Sequence, residues 1–584
     1  MGTVPVYSHE ERAARDVQLT NLKPESPEIE RIPTVEIDNY HGINLNIISG
    51  YAAVCAMAFA MMQVIIGSGL LARSMAADIG GSTKSVWVAQ TVTIVNLAAG
   101  VPVSQAADYW GRKWPMLITC FVALIGSIVL SRAQTMTVAL FGNFLAAVST
   151  AGQPLFYTVA SEIVPRLYRP MAQAGIGLVV AASGMTGLLA GSALTRHNPA
   201  GWRVIWYIEI GLFAFSGVIL YFLYNPPPRP EQISHTHLQR VKKLDLVGIF
   251  LLVSGVTLFS IGLIWFDNPY SFKDPHVNTP FAIGLVLILC LIYHQIRVKK
   301  DGIFHHQLFN QRNVWIAAFG IGIEGAAFFG ANTYFPLEVS VLFEPDSFIV
   351  GTEYCVLFFA NLPATFLAGW WSTSRKDLRT PLLVGFACFI VFFATMASVD
   401  LNDKTKLWSY VVFLGFGLGC LLGSIVALAQ LCAPPHLISI TTGIMTSLRG
   451  IGTTILLPCT SAIFNSKIKT NLPSKIAAEV IPLGLAPQAL AQFIPALANN
   501  DPKALQAVPG VTPQIIQAGV HGLKTAYLVS LRPVWLLTLA LSAVAFIACI
   551  FIKDPKHDFT KHVDAPLDVS EERDERAQDK SAAA

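Results

Sequence analysis

Apolar and polar positions along this chain fall into blocks rather than a fine alternation. Crossing the hydrocarbon core of a bilayer takes about twenty mostly apolar residues in a helix. Blocks of that kind run over 47–71, 86–106, 115–131, 136–160, 171–194, 204–224, 244–265 and 279–296. They continue over 314–342, 350–371, 381–399, 407–431, 441–464 and 527–552, so about fourteen spanning helices are expected. The stretch 1–46 is polar, mixed in charge and interrupted by Pro24, Pro27 and Pro33, the pattern of a disordered tail. It is too long and too charged to open a cleaved signal peptide, so the first block is read as an uncleaved span. Residues 553–584 form a second polar tail, and 465–526 a proline-punctuated loop between the last two spans.

An even number of spans puts both ends of the chain on one side, and the lysine and arginine bias of the short loops chooses it. Arg112 and Lys113, Arg166 and Arg169, Arg240, Lys242 and Lys243, Arg297 and Lys299, and Arg375, Lys376 and Arg379 all fall on the side of the tails. The alternate loops carry fewer cations, so the tails are read as cytoplasmic and the 465–526 loop as external. The turns after the second and tenth spans are alike in basic character. Two six-helix halves, 47–224 and 314–552, joined by a linker 225–313 with two extra spans, account for the count. A repeat of this kind with a site between its halves is the architecture of secondary transporters.

Composition agrees. Hydrophobic residues make up 53% and charged residues 13%, half of what soluble domains carry, so a soluble globular protein is excluded. The net charge of +4 is too mild for a nucleic-acid binder. Nine cysteines without a C-x-x-C pair suggest neither a metal site nor a disulfide framework. There is no Walker sequence and no zinc-type His/Cys spacing, so neither ATP-driven pumping, an enzyme nor a resident cofactor is expected. His305-His306 reads as a solvated pair.

Ionisable residues inside spans are costly and therefore informative. Glu324 falls near mid-membrane in the ninth span. Burial disfavours its charged form, so it either carries a proton between the two sides or makes a structural polar contact. Arg449, a third of the way into the thirteenth span, cannot lose its proton. It must meet a carboxylate or anionic ligand, hold structural hydrogen bonds, or snorkel to the surface. A Glu324–Arg449 pair is compatible with their spans but not determined by them. Glu209, Glu338 and Glu353 read as acids close to the external ends of their helices. Gln63, Asn96, Asn143, Asn332 and Gln430 either line a substrate cavity or join helices by hydrogen bonds.

The run Ser104-Gln-Ala-Ala-Asp108-Tyr-Trp-Gly111-Arg112-Lys113 resembles the loop motif of the major facilitator superfamily between spans two and three. The resemblance implies a cytoplasmic gating latch built from Asp108, Gly111, Arg112 and Lys113, with Glu162 and Arg169 after span four. The glycine-rich fifth span resembles the drug–proton antiporter motif, with Met185 in place of the usual proline and Asn143 in place of an arginine in span four. Ser161-Glu162-Ile-Val-Pro165, Leu244-Asp245-Leu-Val-Gly248, Asp267-Asn268-Pro269, Glu324-Gly325, Arg449-Gly-Ile-Gly452 and Val508-Pro509-Gly510-Val511 together resemble the fungal trichothecene-efflux-pump family. That resemblance implies an all-α integral membrane protein of the major facilitator fold. It implies efflux of a small, largely apolar organic compound such as a toxin, secondary metabolite or drug; the charges within the spans add the expectation of proton coupling, with Glu324 and Arg449 as its candidates. The expected partners are that substrate, protons and the bilayer, for a monomer in the plasma or vacuolar membrane. Proton-coupled uptake, as of a ferric siderophore, is the alternative within the same architecture, and a non-transporting sensor the alternative outside it.

Overall fold

The computed structural model describes residues 44–564, apart from 82–83, 197, 228–236, 266–269, 271–273, 300–301, 304–305, 310, 345 and 499–501. Most of the N-terminal tail, the last twenty residues, Asp267-Asn268-Pro269 and His305 lie outside the described residues.

Among the described residues, helices make up nearly all of the regular structure. The first part comprises α1 (Leu45–Ile79), α2 (Val86–Trp110), α3 (Lys113–Ser131), α4 (Met136–Ala151), α5 (Gln153–Glu162), α6 (Arg169–Thr195) and α7 (Trp202–Leu223). A short α8 (His237–Lys243) leads to the hairpin of α9 (Leu246–Trp265) and α10 (Pro275–Tyr293). After α11 (His306–Phe309) come α12 (Arg312–Leu342), α13 (Ser347–Arg375), α14 (Arg379–Ala397), α15 (Leu407–Cys432) and α16 (Ile438–Val480). The chain closes with α17 (Leu490–Ala498), α18 (Pro502–Gln506) and α19 (Pro513–Ile550). Among the described residues, thirteen spans are long and apolar enough to cross a membrane. The fourteenth expected block lies in α16, where Thr441, Thr442, Thr446, Ser447, Arg449, Thr453 and Thr454 make the helix too polar for that criterion. All but Arg449 of these are buried, so protein rather than lipid surrounds this polar stretch.

Helices are favoured here because they satisfy every backbone group internally where lipid offers no partner. α3 shows the consequence. Met116, Cys120, Ala123, Ser127 and Leu130 face the bundle, while Ile118, Phe121, Ile125 and Ile128 are exposed. Both faces are largely apolar, so their period is invisible to an inside–outside reading of the sequence.

The first half packs α1 on α6 and α7, α3 on α4 and α7, and α2 on α4. The second packs α12 on α15, α16 and α19, α13 on α15, and α14 on α15 and α19. α2 against α16 and α6 against α13 join the halves, and the α9–α10 hairpin leans on α2 and α16 through α9. The glycines of α6 serve this packing. A Cβ at Gly175 or Gly191 would strike Tyr51 or Leu70 of α1, and one at Gly184 would strike Phe358 of α13.

Three expectations need correction. The fourth span is not continuous: it breaks at Gly152, because Pro154 cannot donate to the helix ladder and instead starts a new helix. The 465–526 loop is mostly helix. α16 and α19 continue past the span limits and close, with α17, over a separate core of Ile476, Val480, Phe493, Leu497 and Ile515. Finally, residues 553–564 are not a free tail but dock on the bundle, with Phe559 and Val563 buried.

Candidate functional site

Glu324 lies twelve residues into α12, about 18 Å along the helix. It is 0% exposed and faces Arg449 of α16. Arg449 Nε donates to Glu324 Oε2 at 2.6 Å and Nη2 to Oε1 at 2.9 Å, the two-pronged pairing that a planar guanidinium makes best. The rings of Phe328 and Phe329 lie 5.5 Å from the guanidinium and add cation–π attraction. Glycine makes the pair reachable. A Cβ on Gly452 would sit 1.9 Å from the Gly322 carbonyl oxygen, and one on Gly325 2.5 Å from the Arg449 carbonyl oxygen. Only helices without side chains at these points approach so closely. The adjacency of Glu324-Gly325 and Arg449-Gly-Ile-Gly452 in sequence is therefore one device: the glycines dock the helices that present the charges.

The first half supplies the other wall through its broken helix. Tyr157 of α5 is close enough to interact electrostatically with both Arg449 and Glu324, and its buried hydroxyl lies beside Gln153. One turn earlier, Gln153 accepts from Asn96 Nδ2 of α2 at 2.7 Å, and Asn96 also donates to the Thr150 carbonyl. A polar centre of Asn96, Gln153, Tyr157, Glu324 and Arg449 thus sits between the halves. Gln153 and Tyr157 carry no charge to mark them along the chain; the Gln-Pro step that breaks the span is the one local signal of their place.

A second polar cluster closes the end of the bundle that carries most of the loop cations. Gly111 ends α2 at φ 84°, a conformation that favours glycine, and turns the chain so that Arg112 points inward. Arg112 is 2% exposed and donates to Asp108 at 2.8 Å, to Glu162 at 3.0 Å and to the Ala107 carbonyl. Lys113 instead reaches the end of α7, donating to the Tyr221 carbonyl and to Asn225. Arg169 bridges the halves: it donates to the Ser161 carbonyl, to the Gln430 carbonyl of α15 and to Asp564. Ser161 Oγ donates to Gln430 Oε1 at 2.5 Å, and Ser439 Oγ to the Ser104 carbonyl at 3.1 Å, again across the halves.

Asp564 was not among the sequence candidates. It accepts from Arg166 at 2.8 Å as well as from Arg169, while the backbone N–H groups of Arg166 and Leu167 donate to the His562 and Thr560 carbonyls. The same segment grips the second half, where Asp554 accepts from the N–H groups of Leu378 and Arg379. Burial pushes the Asp554 carboxyl above the usual carboxylate range. Residues 553–564 therefore strap the two halves together. Hydrogen bonds to charged groups contribute about 1.5–3 kcal/mol each, so Asp564→Asn is expected to shift the bundle about tenfold or more toward opening at this end. Pulsed spin-label distances between the α5–α6 and α13–α14 connections should gain a longer population. Unchanged distance distributions would mean that the strap bears no load.

The remaining candidates separate. Gln63 donates to the Ser183 carbonyl and Thr186. Asn143 accepts from Ser68 and donates to the Val88 carbonyl. Gln430 contacts Ser161, Gln173, Tyr157 and Thr442. All three join helices through these bonds, and Asn143 thereby ties α1, α2 and α4 together. Asn332 is half-buried. Glu209, Glu338 and Glu353, expected at interfaces, are 1%, 1% and 3% exposed instead. Trp535 Nε1 donates to Glu338 at 2.8 Å, whereas one oxygen each of Glu209 and Glu353 has no partner. Their short distance along the chain from a helix end hid how closely neighbouring helices cover them.

Comparison with known proteins bears on the family. The chain is 24% identical over 563 residues to the trichothecene efflux pump TRI12 of Trichoderma arundinaceum, covering 92% of this chain and 89% of that protein. It is 23% identical over 491 residues to the efflux pump FUS6 of Gibberella fujikuroi, covering 82% and 84%. Among solved structures, the proton:xylose symporter XylE bound to 6-bromo-6-deoxy-D-glucose is similar in fold, at a TM-score of 0.52 and 11% identity over 71% of this chain and 89% of that one. The family model for the Major Facilitator Superfamily matches residues 52–456. A bundle of two six-helix halves with a polar centre between them and a basic latch at one end is thus a multi-pass membrane transporter, and the chain belongs to the Major Facilitator Superfamily.

Proposed function

We propose that this protein exports a small, largely apolar organic compound in exchange for protons, with Glu324 and Arg449 as the coupling pair. The observation that carries this reading is the two-pronged pair between the halves, with Glu324 fully buried and Arg449 12% exposed, beside Tyr157 and Gln153. A proton arriving from outside neutralises Glu324 and leaves Arg449 without its counter-ion. The pair then loosens, and with it the contact between α12 and α16. Release of the proton inside restores the pair. Transport follows only if the cargo binds the two states differently, so the cargo must compete with, or profit from, the rearranged centre.

Export rather than uptake is favoured by the relatives named as efflux pumps, one of them for trichothecenes. The Asp108–Arg112–Glu162 cluster, Lys113 and the Arg169–Asp564 contact would then be the cytoplasmic gate, closed in this structure. The chain would act as a monomer, in the plasma membrane or the vacuolar membrane.

The test is the cellular content of a labelled panel, terpenoid toxins and ferric hydroxamates together, in cells with and without the protein. Lower content that recovers when a protonophore collapses the gradient supports proton-coupled export and identifies the cargo class. Higher content that the protonophore abolishes replaces export with uptake.

A further inference from the structure

A cavity of about 620 Å³ lies away from the polar centre, between the α9–α10 hairpin and the main bundle. Leu252 and Val256 of α9, Ile288 and Ile292 of α10, and Ile451 of α16 give it an almost wholly apolar wall. Along α10 and the turn that follows it, the lining runs from Leu285 to Ile296, eleven residues or about 16 Å, half the hydrocarbon thickness of a bilayer. It therefore occupies the depth of one leaflet, the one on the basic side.

Its mouth is of a different character. Trp315 and Gln295 line it there, and Trp315 is 56% exposed, as suits a residue at a membrane–water boundary. Arg297 and Lys299 follow directly on the same strand of chain, Arg297 exposed and Lys299 half-buried. Arg297 is the cation that faces outward; Lys299 donates inward to the Lys243 and Leu244 carbonyls and is attracted to the neighbouring Asp245. Asp245 is 2% exposed and committed inward, accepting from Gln295 at 2.5 Å and from the Gly248 N–H, and lying 2.9 Å from His294.

The cavity is walled off from the transport path. Ser447 Oγ donates to the Leu97 carbonyl at 3.1 Å, and a Cβ on Gly450 would already touch Leu97 at 3.1 Å, so α2 and α16 are closed against each other here. An occupant can reach the cavity from the leaflet but not pass to Glu324. That argues for a resident rather than for cargo in transit. An apolar slot one leaflet deep, with an exposed arginine at its mouth, fits an amphiphile with an acyl tail and an anionic head. We propose that this cavity holds one acyl chain of an anionic phospholipid of the cytoplasmic leaflet, its phosphate and headgroup against Arg297. The lipid fills the space that α10 leaves open and fastens the hairpin to the bundle.

The full-length protein, reconstituted in vesicles of equal phosphatidylserine and phosphatidylcholine with identical acyl chains and then extracted in mild detergent, is weighed by native mass spectrometry. One retained lipid per chain is expected, with phosphatidylserine preferred about fivefold, in keeping with roughly 1 kcal/mol per cation near an anionic surface. Arg297→Gln should keep the lipid but lose the preference; the side chain is exposed, so the fold is not at risk. Leu285→Trp with Ile292→Trp, two exposed positions that fill the slot, should abolish retention. Equal retention by the slot-filled variant and the unaltered protein would overturn the proposal. So would displacement of the lipid by the transported compound, which would make the cavity a cargo entrance.

Discussion

Glu324→Gln is expected to reduce proton-coupled flux to background while the protein still reaches the membrane. Glutamine keeps the volume and one acceptor oxygen for Arg449, so the hydrogen-bonded shape of the pair partly survives. It cannot gain or lose a proton, so the cycle in which the pair breaks and re-forms has no trigger. The substitution also leaves a buried guanidinium without its counter-charge, and breaking a buried ion pair by removing one partner costs about 3–5 kcal/mol. Lost flux alone would therefore not separate coupling from misfolding. The double variant Glu324→Gln with Arg449→Gln removes both charges and should recover much of the stability while remaining uncoupled. Measured as proton-gradient-driven flux in vesicles with surface protein quantified, coupled flux persisting in Glu324→Gln would remove Glu324 from the mechanism. Recovery of flux in the double variant would show that the charge balance of the centre matters and the proton does not.

A single methyl group at Gly452 should do nearly as much damage. Its Cβ would sit 1.9 Å from the oxygen and 2.6 Å from the carbon of the Gly322 carbonyl, and backbone on both sides leaves no flexible side chain to yield. α12 and α16 must separate, three residues from Arg449 and two from Glu324. Overpacking costs about 1–3 kcal/mol, and the parted helices lengthen the bonds of the pair. Gly452→Ala is thus expected to lower thermal stability in detergent and flux together. Gly330→Ala, on the same α12 but with nothing within 4 Å of the added Cβ, should change neither. Equal behaviour of the two variants would mean that the close approach does not hold the pair.

Some of this was legible along the chain. Spanning length is local: a block of apolar residues crosses lipid whatever lies beside it, so the number of helices and the paired halves could be read from sequence. Glu324 and Arg449 stood out for the same reason, since charge within such a block is costly wherever the neighbours lie. The Asp108–Arg112 contact was legible as well, because Asp108, Gly111 and Arg112 lie within about one turn of one another. Which residues meet across 125 positions of chain was not. A lipid-facing isoleucine and a bundle-facing leucine are equally apolar, so the pattern does not say which face of α12 turns toward α16. Only the packed helices decided that Glu324 and Arg449 form a pair, that Asn143 ties helices together, and that Glu209 is enclosed. Tertiary structure alone also turned residues 553–564 from a tail into a strap. Asp564 is one acid among many in a polar segment until Arg166 and Arg169, some 400 residues earlier, are folded against it.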